Sequence, residues 1–341
     1  GVYRVTKPIL IELDRVGPVS VAGGGTARIV MAGAGPALKF IGTHEGSADP
    51  PQVKANVWQR QRSPMVDGLE IVGEHPLACG VEASGTMQLT VARTVIRKAL
   101  HAIHLTRRNR NVIVSDCHLY ENRGAGIFYD NVNLHQSNVT GCHISYNGAG
   151  GIVCRGGDVR NIQVSGCDIE ANMDPKGPPA ANVLIDCSGG IAGIAEIAVT
   201  GCTIQHSNVP GAANIRYLGA DAKDRRWGQF TVLGNVPSDV EWNVDLKNAR
   251  GVTLVGNTFW MGFAGDLRAE ACSNVVVGTN SFDRNPGYDY GNSSDAKGGI
   301  VFRNCRDCSL TGLHLNGVRG QQAGLVLQKC GRFHVANCTI L

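Results

Sequence analysis

Val139-Thr140-Gly141-Cys142-His143-Ile144, followed by Asn147, decides the fold, because the stretch is echoed on both sides. Twenty-five residues earlier the chain reads Val114-Ser115-Asp116-Cys117-His118-Leu119 with Asn122. Twenty-five residues later it reads Val164-Ser165-Gly166-Cys167-Asp168-Ile169 with Asn172. Each asparagine precedes a small-residue turn and an apolar strand: Gly126-Ile127, Gly151-Ile152 and, past an insertion, Asn182-Val183. Such a period marks a repeat architecture, in which each unit buries its apolar side against its neighbours. The cysteine slot runs on through Cys202, Asn235, Asn257, Asn280, Leu313 and Cys338, and back through Thr94 and Leu69. Its steps of 22 to 35 residues describe one coil with loops of variable length.

Each repeat holds three short apolar runs that alternate with period two, which is strand periodicity. No stretch of 12 residues carries a 3.6-residue stripe. With 45 glycines and 13 prolines the chain suits tight turns between short strands. The pattern predicts an all-β, single-stranded, right-handed parallel β-helix of about eleven coils. It forms one domain over 1–341, with loop insertions near 42–64, 172–182, 219–230 and 283–299. The cysteines read as an inward ladder of small, soft side chains. The asparagines read as a turn ladder, since Asn tolerates the left-handed conformation and its amide can bond to adjacent coils.

The net charge of +4 is too small and too scattered for a nucleic-acid partner, although it suits a polyanion. No run of 18 apolar residues supplies a transmembrane helix. The twelve cysteines do not pattern as a disulfide framework. Cys305-Arg306-Asp307-Cys308 resembles half of a zinc site, but no second pair stands near it in sequence, so free thiols are the preferred reading. No signal peptide is visible, and residue 1 already adjoins a strand-like segment, Val2-Tyr3-Arg4-Val5. The chain is therefore expected to be part of a longer precursor, periplasmic or secreted, with a cytoplasmic location also compatible with free thiols.

Three outward faces follow from the repeat. The first strand, before the cysteine slot, shows small neutral residues such as Asn138, Thr140, Gln163 and Ser165. The second, from cysteine to asparagine, stacks His118, His143 and Asp168 on successive coils. With strands ~4.8 Å apart, that trio is a candidate site for calcium or another divalent metal, set against an inert surface stack or a subunit contact. The third strand is expected to carry one outward column of Glu82, His104, Asp130, Arg155, Asp186 and Arg216. Its bland reading is a ladder of alternating charge. Loops after it add Arg107, Arg108, Arg110, Asn131, Asn133 and His135. Two insertions flank this edge, one with His44, Trp58 and Arg60, the other with Lys223, Asp224, Arg225, Arg226 and Trp227. Six coils apart, or roughly 29 Å, they would wall a charged trough in which Trp58 and Trp227 could stack on sugars.

The repeat of valine, polar, small, Cys or Asn, polar, Ile, then Asn and Gly-Ile resembles that of the pectate-lyase-like superfamily, over nearly the whole chain. It is also similar to bacterial right-handed β-helix repeat proteins. The resemblance implies a carbohydrate polymer or oligomer as partner, as in lyases of acidic polysaccharides, polygalacturonase-type hydrolases, epimerases and phage tailspikes. It implies no particular chemistry, because a fold does not fix one. Pectate lyases are marked by acidic calcium ligands and an arginine on the first strand, which is neutral here. The Asn-Thr-Asp, Asp-Asp and Gly-His-Gly marks of polygalacturonases are absent.

Two chemistries fit the third strand. A β-eliminating lyase needs a base and a cluster that takes the uronate carboxylate. His104 or His135 is the candidate base, since histidine ordinarily titrates near pH ~6.5. Arg155, Arg107 and Asn133 would meet the carboxylate, and Asp130 would orient a histidine or bind calcium. An inverting hydrolase needs two carboxyls about 6.5–9.5 Å apart, for which Asp130 pairs with Glu82 or Asp186. Elimination is slightly favoured. The catalytic set is thus His104, Asp130, His135 and Arg155, with Trp58, Arg60, Glu82, Arg107, Asn133, Asp186 and Trp227 binding substrate. A non-catalytic carbohydrate-binding fibre, monomeric or trimeric, is the third reading.

Overall fold

The computed structural model describes residues 1–45, 49–190, 193–221, 227–284, 293–317 and 323–341. Strands pair in parallel with the strand one coil on: His118 faces His143, His143 faces Asp168, and Asp168 faces Thr203. The same holds for the third strands, where Gly150–Arg155 lies between Ala125–Thr140 and Ala181–Asp186. The result is a parallel β-helix. Among the described residues, no helix is long and apolar enough to cross a membrane.

The corners are made by left-handed residues. Asp116 (φ 53°) and Gly141 (φ 60°) precede the cysteine slot, and Glu121 (φ 53°), Tyr146 (φ 55°) and Ala171 (φ 53°) precede the asparagine slot. Such a φ costs a non-glycine residue roughly 1–2 kcal/mol. It is repeated because each corner amide then reaches the next coil, as Glu121 N does to Ser145 O at 3.2 Å and Tyr146 N to Glu170 O at 3.0 Å. The expectation that asparagine itself takes the left-handed turn is corrected: its neighbour turns, and the asparagine points inward.

Inside, Cys117, Cys142, Cys167 and Cys202 stack in one column, each at most 3% exposed. The column continues as Asn235, Asn257 and Asn280. Asn122, Asn147, Asn172, Asn182, Asn214 and Asn243 form a second inward column. Each Nδ2 donates to the next Oδ1 at 2.7–2.8 Å, and Asn243 donates to Asp266. A buried amide without partners would cost about 1–3 kcal/mol, and stacking removes that cost at every coil.

Candidate functional site

The third strands carry two outward columns, not one. Glu82 faces His104, which faces Phe128 and then Val153 and Leu184, before Arg216 and Asp245. Two residues further along, Thr106, Asp130, Arg155, Asp186 and Leu218 form the second. The predicted single column therefore zigzags between two, because the short corner loops differ in length. Arg216 is separated from the rest: it is 7% exposed and donates from Nε to Asp245 Oδ2 at 2.8 Å.

The two columns meet at His104. Its Nε2 lies 3.0 Å from Asp130 Oδ2, and its Nδ1 lies 3.7 Å from Glu82 Oε2. Glu82 is also held by Lys39 Nζ at 2.7 Å. The ring stacks on Phe128, with centroids 5.4 Å apart and planes 5° from parallel. His101 sits beside both rings, 5.3 Å from His104 and 4.9 Å from Phe128. Burial, then the neighbouring His104, holds His101 down to about 4, and its Nδ1 accepts from Ala125 N at 3.0 Å. His101 is thus a neutral wall, and His104 is the ring that faces the carboxylates.

Beside this pair a cavity of about 520 Å³ opens over Asp130, Asn131, Arg155, Asp186 and Ser188. Arg155 stands between the carboxylates in register, with its Nε 3.7 Å from Asp186 Oδ2. Asp186 also accepts from Ser188 Oγ at 2.6 Å. More than half of the Arg155 side chain is exposed, so it can meet an anionic ligand.

His135 is not in this cluster. The chain turns through Asn131 (φ 45°) after Asp130, and Asn133 and His135 fall on a short further face. There His135 lies in register between Arg110 and Arg160, and Asn133 accepts from Arg108. Burial, then Arg110, lowers the His135 pKa. His44 closes over this basic face: Arg108 Nε reaches its Nε2 at 3.4 Å, and burial, then Arg108, holds it down to about 4. Arg107 is the left-handed corner residue (φ 58°), exposed and 4.0 Å from Glu45.

The flanking insertions come closer than predicted, because each leans over the basic face. Trp58 packs on Val53, Val57 and Met87, so it serves the loop's own core. Arg60 donates to Arg15 O at 3.4 Å, away from the trough. Trp227 lies over Arg160, 4.6 Å from guanidinium to ring centroid. Met87 and Arg160 are three coils apart, about 14 Å rather than 29 Å. Lys223, Asp224, Arg225 and Arg226 lie outside the described residues.

On the second strand His118, His143 and Asp168 do stand in register. The imidazoles are 5.0 Å apart between centroids, and His143 Nδ1 is 3.8 Å from Asp168 Oδ2. Among the described residues no group of three His, Cys, Asp or Glu could hold a metal ion. The metal reading of this column is corrected, since parallel side chains on a flat stack do not converge. Cys305 and Cys308 are both buried, and Cys305 stacks in register with Cys272, whose backbone N lies 3.3 Å from its Sγ. That is a second thiol column, not half of a zinc site.

The first-strand face is neutral as expected, but it is not flat. A groove of about 470 Å³ runs along it, lined by Gln88, Asn111, Gln136, Asn161, Asn138 and Gln163 among others. The first four recur at 23, 25 and 25 residues, a signal present in the sequence but masked by the louder cysteine echo.

A family model described as "right handed beta helix region" matches residues 57–211. The solved structure of the Dettilon tailspike protein matches with a TM-score of 0.53 and 12% identity, covering 98% of this chain and 61% of its own. This chain thus spans less than two thirds of that protein. The surface protein and adhesin PfbA of Streptococcus pneumoniae matches with a TM-score of 0.53 and 11% identity, covering 100% and 87%. The periplasmic alginate epimerase AlgG matches with a TM-score of 0.46 and 12% identity, covering 98% and 78%. Comparison with curated protein sequences finds no match. At the identities of the first two structures likeness speaks for the fold alone, and that fold is the single-stranded right-handed parallel β-helix.

Proposed function

We propose that this protein is an enzyme acting on an acidic carbohydrate chain, which it cleaves by β-elimination in the trough over Asp130, Arg155 and Asp186. The observation that carries this reading is the contact of His104 Nε2 with Asp130 Oδ2 at 3.0 Å. Asp130 lines the cavity and His104 holds it from outside, while Nδ1 on the far side of the ring faces Glu82 at 3.7 Å, itself bound by Lys39.

In the proposed step the His104–Asp130 pair takes the proton next to a uronate carboxylate, with the Asp130 carboxylate facing the substrate and His104 bonded behind it. Arg155 pairs with that carboxylate as the charge spreads onto it. The electron pair forms a carbon–carbon double bond, the glycosidic carbon–oxygen bond breaks, and the departing oxygen takes a proton from water. Hydrolysis is the weaker reading here. Inversion needs one carboxyl as acid and one as base with a water between them, whereas Asp130 and Asp186 are each engaged by a neighbour, His104 and Arg155.

The test is incubation with panels of uronate-containing and neutral glycans. Elimination yields an unsaturated product that absorbs in the ultraviolet, lost in His104→Ala. New reducing ends without that absorbance would replace the proposal with hydrolysis. Binding without any cleavage would replace it with a carbohydrate-binding role.

A further inference from the structure

The groove on the first-strand face differs from the trough in every respect that matters for recognition. Its long side chains are amides: Gln88, Asn111, Gln136 and Asn161 in one line, Asn138 and Gln163 beside them. The first line arises from the backbone. Gln88 (φ 59°), Asn111 (φ 54°), Gln136 (φ 69°) and Asn161 (φ 62°) are the left-handed residues that open each first strand. That corner turns their side chains outward, one per coil, at a spacing of ~4.8 Å. The second line follows by register, Thr90 facing Ile113, Ile113 facing Asn138, and Asn138 facing Gln163.

Amides stacked at this spacing normally satisfy each other, as the inward column from Asn122 to Asn243 does. The outward line does not. Gln88 accepts from Ser63 and Asn161 donates to Glu196, but these bonds lie at its two ends. In the middle, Asn111 Oδ1 is buried and has no hydrogen-bond partner. Side-chain amides present a donor and an acceptor together and carry no charge. Their match is a ligand with donors and acceptors in equal measure, repeated along its length, and without charge. That is a hydroxyl-rich uncharged sugar chain.

We infer that this groove is a second, non-catalytic binding site, which takes an uncharged oligosaccharide or the uncharged stretch of a mixed one. It does not depend on the β-elimination proposed above, because none of its residues belongs to the trough. Ile113, at 41% exposure in the groove floor, offers the apolar patch on which a sugar's C–H face can rest.

The experiment is binding of the full chain to an array of uncharged gluco-, manno- and galacto-oligosaccharides, with oligogalacturonates as the charged arm. It is run on the wild type, Gln136→Gly with Asn138→Ala, and Asp130→Asn. Glycine at 136 keeps the left-handed corner, so this variant preserves the backbone, and an unchanged melting temperature confirms it. The expected result is retention of at least one uncharged series, weakened tenfold or more in the amide variant and unchanged in Asp130→Asn. Binding of charged oligomers only, of no uncharged oligomer, or equal binding by the amide variant would overturn it. Absence of cleavage by the wild type with uncharged binding intact would count against the trough alone.

Discussion

His104 and Asp130 are joined at 3.0 Å although neither is the other's partner across the strands: His104 faces Phe128, and Asp130 faces Thr106. The bond is diagonal and links the two outward columns, where an in-register ladder would only pair like positions. If the pair acts as one unit, His104→Ala and Asp130→Asn each lower kcat/KM by about 10²-fold or more. The double variant should then be little worse than either single one. Additive losses, measured as initial rates on the same glycan, would mean that the two act separately.

Asn147 tests the inward amide column. It is fully buried, donates to Asn172 and to Leu119 O, and accepts from Asn122. Replacement by alanine leaves partners on both neighbouring coils unsatisfied, at a cost on the order of 3 kcal/mol. Urea denaturation should show this loss, and a loss under about 0.5 kcal/mol would mean that water fills the gap.

Asp266 ends that column as a buried carboxyl, which burial pushes up to about 6. The folded value lies above the unfolded one, so between about pH 4 and 6 the native state holds a proton that the unfolded chain releases. The resulting stabilisation is complete below about pH 4 and is lost as the pH rises through about 6. Compared with Asp266→Asn, the wild-type melting temperature should therefore fall as pH goes from 4 to 7. A difference that stays flat over that range would refute the shift.

The thiols give a prediction without mutation. Ten cysteines are buried, and only Cys330 and Cys338 are partly open. Hydrogen bonding within the column, from Cys142 to Cys117 and from Cys167 to Cys142, pushes Cys142 and Cys167 up to about 12. Since the thiolate is the reactive form, a thiol reagent should label the native protein at Cys330 and Cys338 alone. Peptide mapping after unfolding should find the rest unmodified; rapid labelling of Cys142 would mean that the coil opens.

Much of the fold was legible because a solenoid repeats its constraints. The Cys142 and Asn147 echoes identified one coil, and coil stacking then placed Asp168 beside His143 and Asp186 beside Arg155. The zigzag of the third strand was not legible, since it depends on how many residues each corner spends: His104 comes ten residues after Thr94, but its partner in register, Phe128, comes eleven after Cys117. His135 left Asp130 at the next corner, as Arg110 leaves Thr106 in the preceding coil. Trp58 and Trp227 were misplaced for a different reason. Loop insertions are not bound by the repeat, and their apolar rings went to Met87 and Arg160, which no periodicity announces.

The inward amide column has a direction. Every Nδ2 from Asn122 to Asn243 donates toward the C-terminal end, and the last donor is received by Asp266. A coil carrying one more asparagine could be added anywhere along this line without disturbing it, because it would pass the bond on unchanged. Beyond Asp266 the rule stops, for a carboxylate receives and has nothing to hand forward. Coils do stack beyond that residue, with Ile300–Arg303 on Gly262–Glu270 and Leu325–Gln328 on Ile300–Arg303, but they do so without the amide relay, so duplication that preserves the relay is confined to the N-terminal side of Asp266.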